Sequence, residues 1–126
     1  MTVSSVLIVE DEPVIREQLA DILNEMGFSP MQVGSVREAT AALDRDVFAI
    51  IILDLGLEDG SGLTVLEQIV RLAPDAPVMV VSSTMDLSLR SHCYELGARD
   101  FVAKPFRPDE LKRRLNRLIE RRGFSE

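Results

Sequence analysis

Four short apolar runs constrain this chain more than any other feature: VLIV (6–9), AIIIL (49–53), VMVV (78–81) and FVA (101–103). They are continuous, mostly β-branched and without polar alternation, which is the pattern of strands buried on both faces of a parallel sheet. A weaker strand is expected at 29–33, where the apolar pattern thins as it does at a sheet edge.

Helical periods separate the runs. Val14, Ile15, Leu19, Ile22, Leu23 and Met26 recur at three and four, with Pro13 suited to a first helical turn and Gly27 to a stop. Ser35 and Glu38 form a capping box before Ala39, Ala42 and Leu43. A third helix spans 63–72 and ends at Pro74. A fourth spans 87–96 and ends at Gly97. A fifth carries Leu111, Leu115, Leu118 and Ile119. Five strands alternating with five helices predict right-handed crossovers and an open α/β sheet covered on both faces.

Length and composition bound what such a chain can do. Its 126 residues suit one domain with a single core. No apolar run approaches the roughly 20 residues of a membrane span. The start MTVSS has no basic or apolar leader region, so no membrane and a cytoplasmic setting are expected. A single cysteine, Cys93, excludes a disulfide framework and reads as a small core residue of the fourth helix. The one histidine, His92, reads as a surface residue. Residues 1–103 carry a net charge of −11 and residues 104–126 a net of +4, which combine to −7. An acidic body argues against direct nucleic-acid binding by this domain. The basic run KRRLNRLIERR reads as a solvated helix face with a partner surface in prospect.

The ends of the strands carry the chemistry. The first run ends in Glu10 and Asp11, the second in Asp54, the third in Ser82 and Ser83, the fourth in Lys104 and Pro105. In open α/β sheets the ligand crevice lies outside the carboxyl ends of the strands. Three carboxylates, a hydroxyl and an ammonium therefore converge on one edge. The carboxylates repel one another unless a cation joins them. With only oxygen donors the natural ion is Mg²⁺, or Mn²⁺ in its place. Such an ion favours phosphate oxygens, and a carboxylate can itself attack phosphorus. Lys104 and Ser82 would then bind the oxygens of the new group, and Gly56 could lend a backbone carbonyl to the metal.

With these residues in view the chain resembles the receiver domains of two-component response regulators over residues 6 to about 122. The matching strings are VLIVEDE, ILDLGLEDGSGL, PVMVVSS and GARDFVAKPF, with Ser82 twenty-two positions before Lys104. The resemblance implies a (βα)5 doubly wound, five-stranded parallel sheet in the flavodoxin-like order 2-1-3-4-5. It implies that Asp54 is the phosphoacceptor, that Asp11 binds Mg²⁺ directly and Glu10 through water, and that the Gly56 carbonyl completes the protein ligands. Ser82 becomes the switch hydroxyl, Lys104 the phosphate-binding lysine, Phe101 the switch aromatic, and the bond before Pro105 a cis peptide. The implied partner is a sensor histidine kinase or a phosphotransfer protein. The implied activity is no more than Mg-dependent phosphorylation and dephosphorylation of the domain itself.

Some positions depart from the family pattern. Serine at 82 keeps the donor of the more frequent threonine but loses its methyl. Phe101 lacks the hydroxyl of the frequent tyrosine, and a plain core strand residue is its structural alternative. Arg107 stands where Ser or Thr would cap the fifth helix better.

Three other readings fit less well. A flavodoxin-like nucleotide binder needs a glycine- or hydroxyl-rich phosphate loop after the first strand, where this chain has EDEP. An aspartate phosphatase usually carries a second acid two residues after its nucleophile, and Asp54-Leu-Gly56 does not. A phosphate-independent pseudo-receiver, an interaction module, would have lost part of the site, and here every position is kept.

The sequence reads as a single receiver domain over 1–126 without an effector. It is expected to be either stand-alone or the first part of a longer regulator. A first strand at residue 6 suggests a natural beginning, and RRGFSE reads as a terminus or the start of a linker. VLIVEDE and KPFRPDEL are similar to the winged-helix DNA-binding class. By that likeness the fourth helix, fifth strand and fifth helix form a partner or phosphorylation-dependent homodimer face, with Asp100 and Arg114 its candidate ion pair.

Overall fold

The computed structural model describes residues 4–56, 62–84 and 86–121. Five strands alternate with five helices: β1 (Ser5–Val9), α1 (Pro13–Glu25), β2 (Ser29–Val33), α2 (Val36–Arg45), β3 (Ile50–Asp54), α3 (Gly62–Leu72), β4 (Val78–Ser82), α4 (Leu87–Glu95), β5 (Asp100–Ala103) and α5 (Pro108–Arg121). The strands form one parallel sheet in the order β2-β1-β3-β4-β5. This is the expected topology. The loop residues 57–61 of the ILDLGLEDGSGL string and the far end of the expected core, Arg122, lie outside the described residues.

Strand pleating explains why the apolar runs are unbroken. Side chains alternate between faces, so a strand covered on both sides needs an apolar residue at every position. Val6, Ile8, Ile50, Ile52, Met79, Val81 and Val102 pack with Leu19 and Leu23 of α1 and Leu111, Leu115 and Leu118 of α5. Leu7, Val9, Ile51, Leu53, Val78, Val80 and Phe101 pack on the other side with residues of α2, α3 and α4. Two helices therefore cover one face and three the other.

β2 is an edge strand, and it tolerates Pro30 for that reason. Ser29 N donates to Ser4 O and Val33 O accepts from Glu10 N, so these alternate residues face β1. Pro30 falls on the intervening, outward phase, where its missing N–H breaks no bond within the sheet.

The helix ends follow local chemistry. Ser35 caps α2 by accepting from Glu38 N at 3.1 Å. Glu38 reaches one residue further back than a capping box requires, accepting from Gly34 N at 2.8 Å. α4 ends at Gly97, whose φ of +117° is a left-handed conformation that favours glycine, and Ala98 N closes the end on Cys93 O at 3.0 Å.

Cys93 is the one residue of α4 that is fully buried, as expected of a core thiol, while His92 beside it is exposed. Burial raises the Cys93 thiol above its ordinary pKa. The thiolate is the reactive form, so Cys93 should resist a thiol reagent in the folded domain and react at once in concentrated guanidinium. A colorimetric thiol titration checks this. Prompt labelling of the native domain would mean that α4 opens readily.

Candidate functional site

Parallel register brings the strand ends to one rim. Val9 pairs with Leu53, Asp54 with Val81, and Ser82 with Ala103. Glu10 and Asp11 therefore leave β1 beside Asp54, the last residue of β3, and Lys104 leaves β5 beside Ser82, the last residue of β4. The rim lies at β1 and β3, where the strand order reverses and where open α/β sheets place their ligands.

Glu10, Asp11 and Asp54 each offer a carboxylate oxygen, and these oxygens lie within 4.8 Å of one another. Glu10 and Asp54 are buried, and Asp11 is partly open to solvent. A hard, all-oxygen donor set of this size fits Mg²⁺ or Mn²⁺. Lys104 supplies the opposing charge: its Nζ lies 3.0 Å from Glu10 Oε1, 3.5 Å from Asp54 Oδ1 and 4.0 Å from Glu12 Oε1. The Glu10 contact is an ion pair, and buried Oε1 has no hydrogen-bond partner among the described residues. The other oxygen, Oε2, accepts from Glu12 N at 3.2 Å.

Burial pushes the Glu10 carboxyl up to about 7; Lys104 and the Glu12 amide oppose the rise and the Asp54 charge adds to it. For Lys104, burial works against the ammonium, but Glu10 and Asp54 outweigh it and raise its pKa. The pocket thus concentrates negative charge that a single lysine only partly offsets.

The remaining expected residues lie around this pocket. Asp54 Oδ1 accepts from Gly56 N at 3.2 Å. Ser82 is buried, its Oγ accepting from Thr84 N at 3.2 Å, and its carbonyl accepts from Lys104 N at 2.8 Å. The Lys104–Pro105 peptide is cis. Phe101 is buried with the guanidinium of Arg90 over its ring, 5.7 Å from the centroid. A recess of about 150 Å³ lined by Thr84, Leu87, Ala103 and Glu110 adjoins that ring. Asp100 and Arg114 form an ion pair within the chain, with Asp100 Oδ1 2.6 Å from Arg114 Nη1.

Three residues that sequence reasoning did not single out belong to this region. Arg16 Nη1 donates to the Glu10 carbonyl at 2.8 Å, fixing the β1–α1 turn. Glu12 brings a third carboxylate towards Lys104, 4.0 Å from its Nζ. Gly62 opens α3 so close to Leu55 that a Cβ there would fall 2.5 Å from the Leu55 carbonyl oxygen. Only Gly62 carried a signal, a glycine placed just before a helical period.

Fold and rim together define a doubly wound α/β domain with an acidic, lysine-bridged pocket at its switch point. A model of the response regulator receiver domain matches residues 6–116, and the chain belongs to that family. Among curated relatives it is 32% identical over 118 residues to the C4-dicarboxylate transport transcriptional regulatory protein DctD of Rhizobium meliloti, covering 94% of this chain and 26% of that one. It is also 32% identical over 118 residues to the phosphate regulon transcriptional regulatory protein PhoB of Escherichia coli, covering 92% of this chain and 52% of that one. The chain thus spans about half or less of the length of these relatives. Among solved structures, a CheY-like receiver domain protein from Methanospirillum hungatei has a TM-score of 0.92 at 22% identity, covering 99% of this chain and all of that one, which shows the shared fold. NtrX of Brucella abortus has a TM-score of 0.90 at 28% identity, covering 98% of this chain and 28% of that one. No described helix is long and apolar enough to cross a membrane.

Proposed function

We propose that this domain is a cytoplasmic signalling module that takes a phosphoryl group onto Asp54 from a histidine kinase, a phosphotransfer protein or a small donor such as acetyl phosphate. The observation that carries this reading is the convergence of Glu10, Asp11 and Asp54 within 4.8 Å, with Lys104 Nζ 3.5 Å from Asp54 Oδ1. Glu10, Asp11, Asp54 and the Gly56 carbonyl would hold Mg²⁺ or Mn²⁺. When bound, the ion offsets the carboxylate charge and that of the phosphoryl oxygens.

The chain's own groups do the rest. An Asp54 carboxylate oxygen attacks phosphorus. The new O–P bond forms as the bond to the donor's imidazole nitrogen or acetate oxygen breaks, and the electron pair leaves with the donor. Lys104, drawn to Asp54 before transfer, donates a charge-assisted bond to a phosphoryl oxygen afterwards. Donation from Ser82 Oγ to a second oxygen draws the end of β4 towards Asp54. That shift opens space beside β5 into which Phe101 turns, within a two-state equilibrium that phosphorylation only biases. The α4–β5–α5 face then presents a changed surface to a partner, or to a second copy with Asp100 and Arg114 exchanging their bond across the dimer. The named relatives, transcriptional regulatory proteins longer than this chain, support an output that lies with a further domain or a partner.

Incubation with acetyl phosphate followed by intact-mass measurement tests the proposal. With Mg²⁺ the domain should gain one phosphoryl group, and excess chelator should cut the gain at least about tenfold. Undiminished labelling in chelator would remove the metal from the reaction.

A further inference from the structure

The Glu10 carbonyl lies just past β1, on the peptide that joins the two acidic residues of that strand end. A planar peptide fixes the directions in which its two flanking residues leave the chain. Whatever holds this peptide therefore aims Glu10 and Asp11, two of the three clustered carboxylates.

Glu10 is held on both sides. Its N–H donates to Val33 O at 3.1 Å, and its carbonyl accepts from Arg16 Nη1 at 2.8 Å. Arg16 is half-buried in the first turn of α1, and its own N–H donates to Glu12 O at 2.9 Å, so the side chain starts from the turn that it closes. Gly34 leaves the space for the guanidinium. A Cβ there would lie 2.9 Å from Arg16 Nη1 and 3.8 Å from the Glu10 carbonyl oxygen, so a methyl would press on the bond itself. The Gly34 φ is not positive, and the missing Cβ rather than backbone freedom accounts for the glycine. Gly34 is tied in turn through its N–H to Glu38 Oε1 at 2.8 Å.

We propose that Arg16 is a positioning residue for the acidic cluster: by holding the Glu10 carbonyl, in the space that Gly34 leaves, it sets the affinity of the carboxylates for a divalent cation. Groups that orient metal ligands without touching the metal change its affinity by about tenfold or more when removed. Charge alone acts the other way. A guanidinium near the pocket repels a cation, so deleting it would tighten binding if Arg16 acted only through its charge. The sign of the effect therefore separates positioning from electrostatics. The inference rests on reading Glu10, Asp11 and Asp54 as a metal site, and is independent of whether Asp54 accepts a phosphoryl group.

Mn²⁺ binding, counted by loss of the free-ion electron paramagnetic resonance signal, tests this without any phosphoryl donor. Arg16→Met should weaken Mn²⁺ binding about tenfold. Gly34→Ala keeps the arginine but displaces it, and should weaken binding at least about threefold. In the double variant Gly34→Ala should add less than about twofold to the loss from Arg16→Met, because its methyl then has no guanidinium to displace. Ser35→Ala removes the cap of α2 beside Gly34 and leaves Arg16 in place. It should lower the melting temperature while Mn²⁺ affinity stays within about twofold of the wild type. Binding by Arg16→Met or Gly34→Ala as tight as the wild type, or tighter, would overturn the positioning role. So would additive losses in the double variant, or a loss in Ser35→Ala as large as that in Gly34→Ala. A wild type that takes up no Mn²⁺ would instead overturn the metal reading, and this inference with it.

Discussion

Asp54→Asn should abolish phosphoryl uptake and yet leave the metal-free domain at least as stable as the wild type. The amide keeps the shape of the carboxylate but is no nucleophile towards phosphorus, so uptake should fall at least about a hundredfold by intact-mass assay. Stability moves the other way because Asp54 stands in a pocket of like charge beside buried Glu10 and partly exposed Asp11. Removing one charge relieves that repulsion, while Lys104 keeps its shorter contact, 3.0 Å to Glu10. A gain of about 1 kcal/mol, or roughly 3–5 °C in melting temperature, is the expected scale. Added Mg²⁺ should stabilise the wild type more than the variant, since a ligand that binds only the folded state stabilises it by RT ln(1 + [L]/Kd) and the variant offers one carboxylate fewer. Thermal melts with and without Mg²⁺ measure both effects. A variant clearly less stable than the wild type would mean that the Asp54 bonds to Lys104 and Gly56 N hold the fold, and that the pocket is structural.

Gly62→Ala should be among the most damaging single-methyl changes in the chain. Its Cβ would lie 2.5 Å from the Leu55 carbonyl oxygen, 2.8 Å from Leu55 Cβ and 3.0 Å from Leu55 Cα. Two of these atoms are backbone, so relief requires α3 to move away from the end of β3. A loss of about 2–3 kcal/mol in urea unfolding is expected, as for overpacking at a rigid contact. Gly34→Ala makes the useful comparison, because its Cβ would meet Arg16 Nη1 at 2.9 Å, the far end of a flexible side chain. That variant should lose less than about 1 kcal/mol. It would, however, displace Arg16 from the Glu10 carbonyl. If Gly62→Ala proves as mild as Gly34→Ala, the α3 start is softer than its contacts indicate.

Much of this was legible in the chain because buried parallel strands leave no polar positions to blur the pattern. The five strands, the thin edge at 29–33 and the five helices emerge as expected, with small shifts: β1 begins at Ser5, β3 begins after Ala49, and α3 begins at Gly62. Apolar runs do not say which helix covers which face, because a residue buried against α1 or against α3 is equally apolar. The candidate site was legible as a set, since its members are strand ends and parallel pairing must bring strand ends together. Glu12 and Arg16 were not, because in sequence a charge at the start of a helix looks the same whether it faces solvent or reaches back to the preceding strand. Asp100 and Arg114 illustrate the same limit. The likeness to the winged-helix class offers them as an ion pair of the partner or dimer face, but only the fold shows the two joined within one chain at 2.6 Å.

The outward phase of β2 bears on crowding and storage. An open sheet offers each of its two edges as a template for further strands, and an extended edge is the usual start of sheet-to-sheet aggregation. Along β2, Pro30 withholds one of the outward amide donors and leaves Gln32 as the other, so an incoming strand cannot complete a regular ladder there. Fibrous growth from this side is therefore discouraged at the level of the backbone. Along this edge, copies of the domain must meet through side chains, which can be tuned by charge and released again.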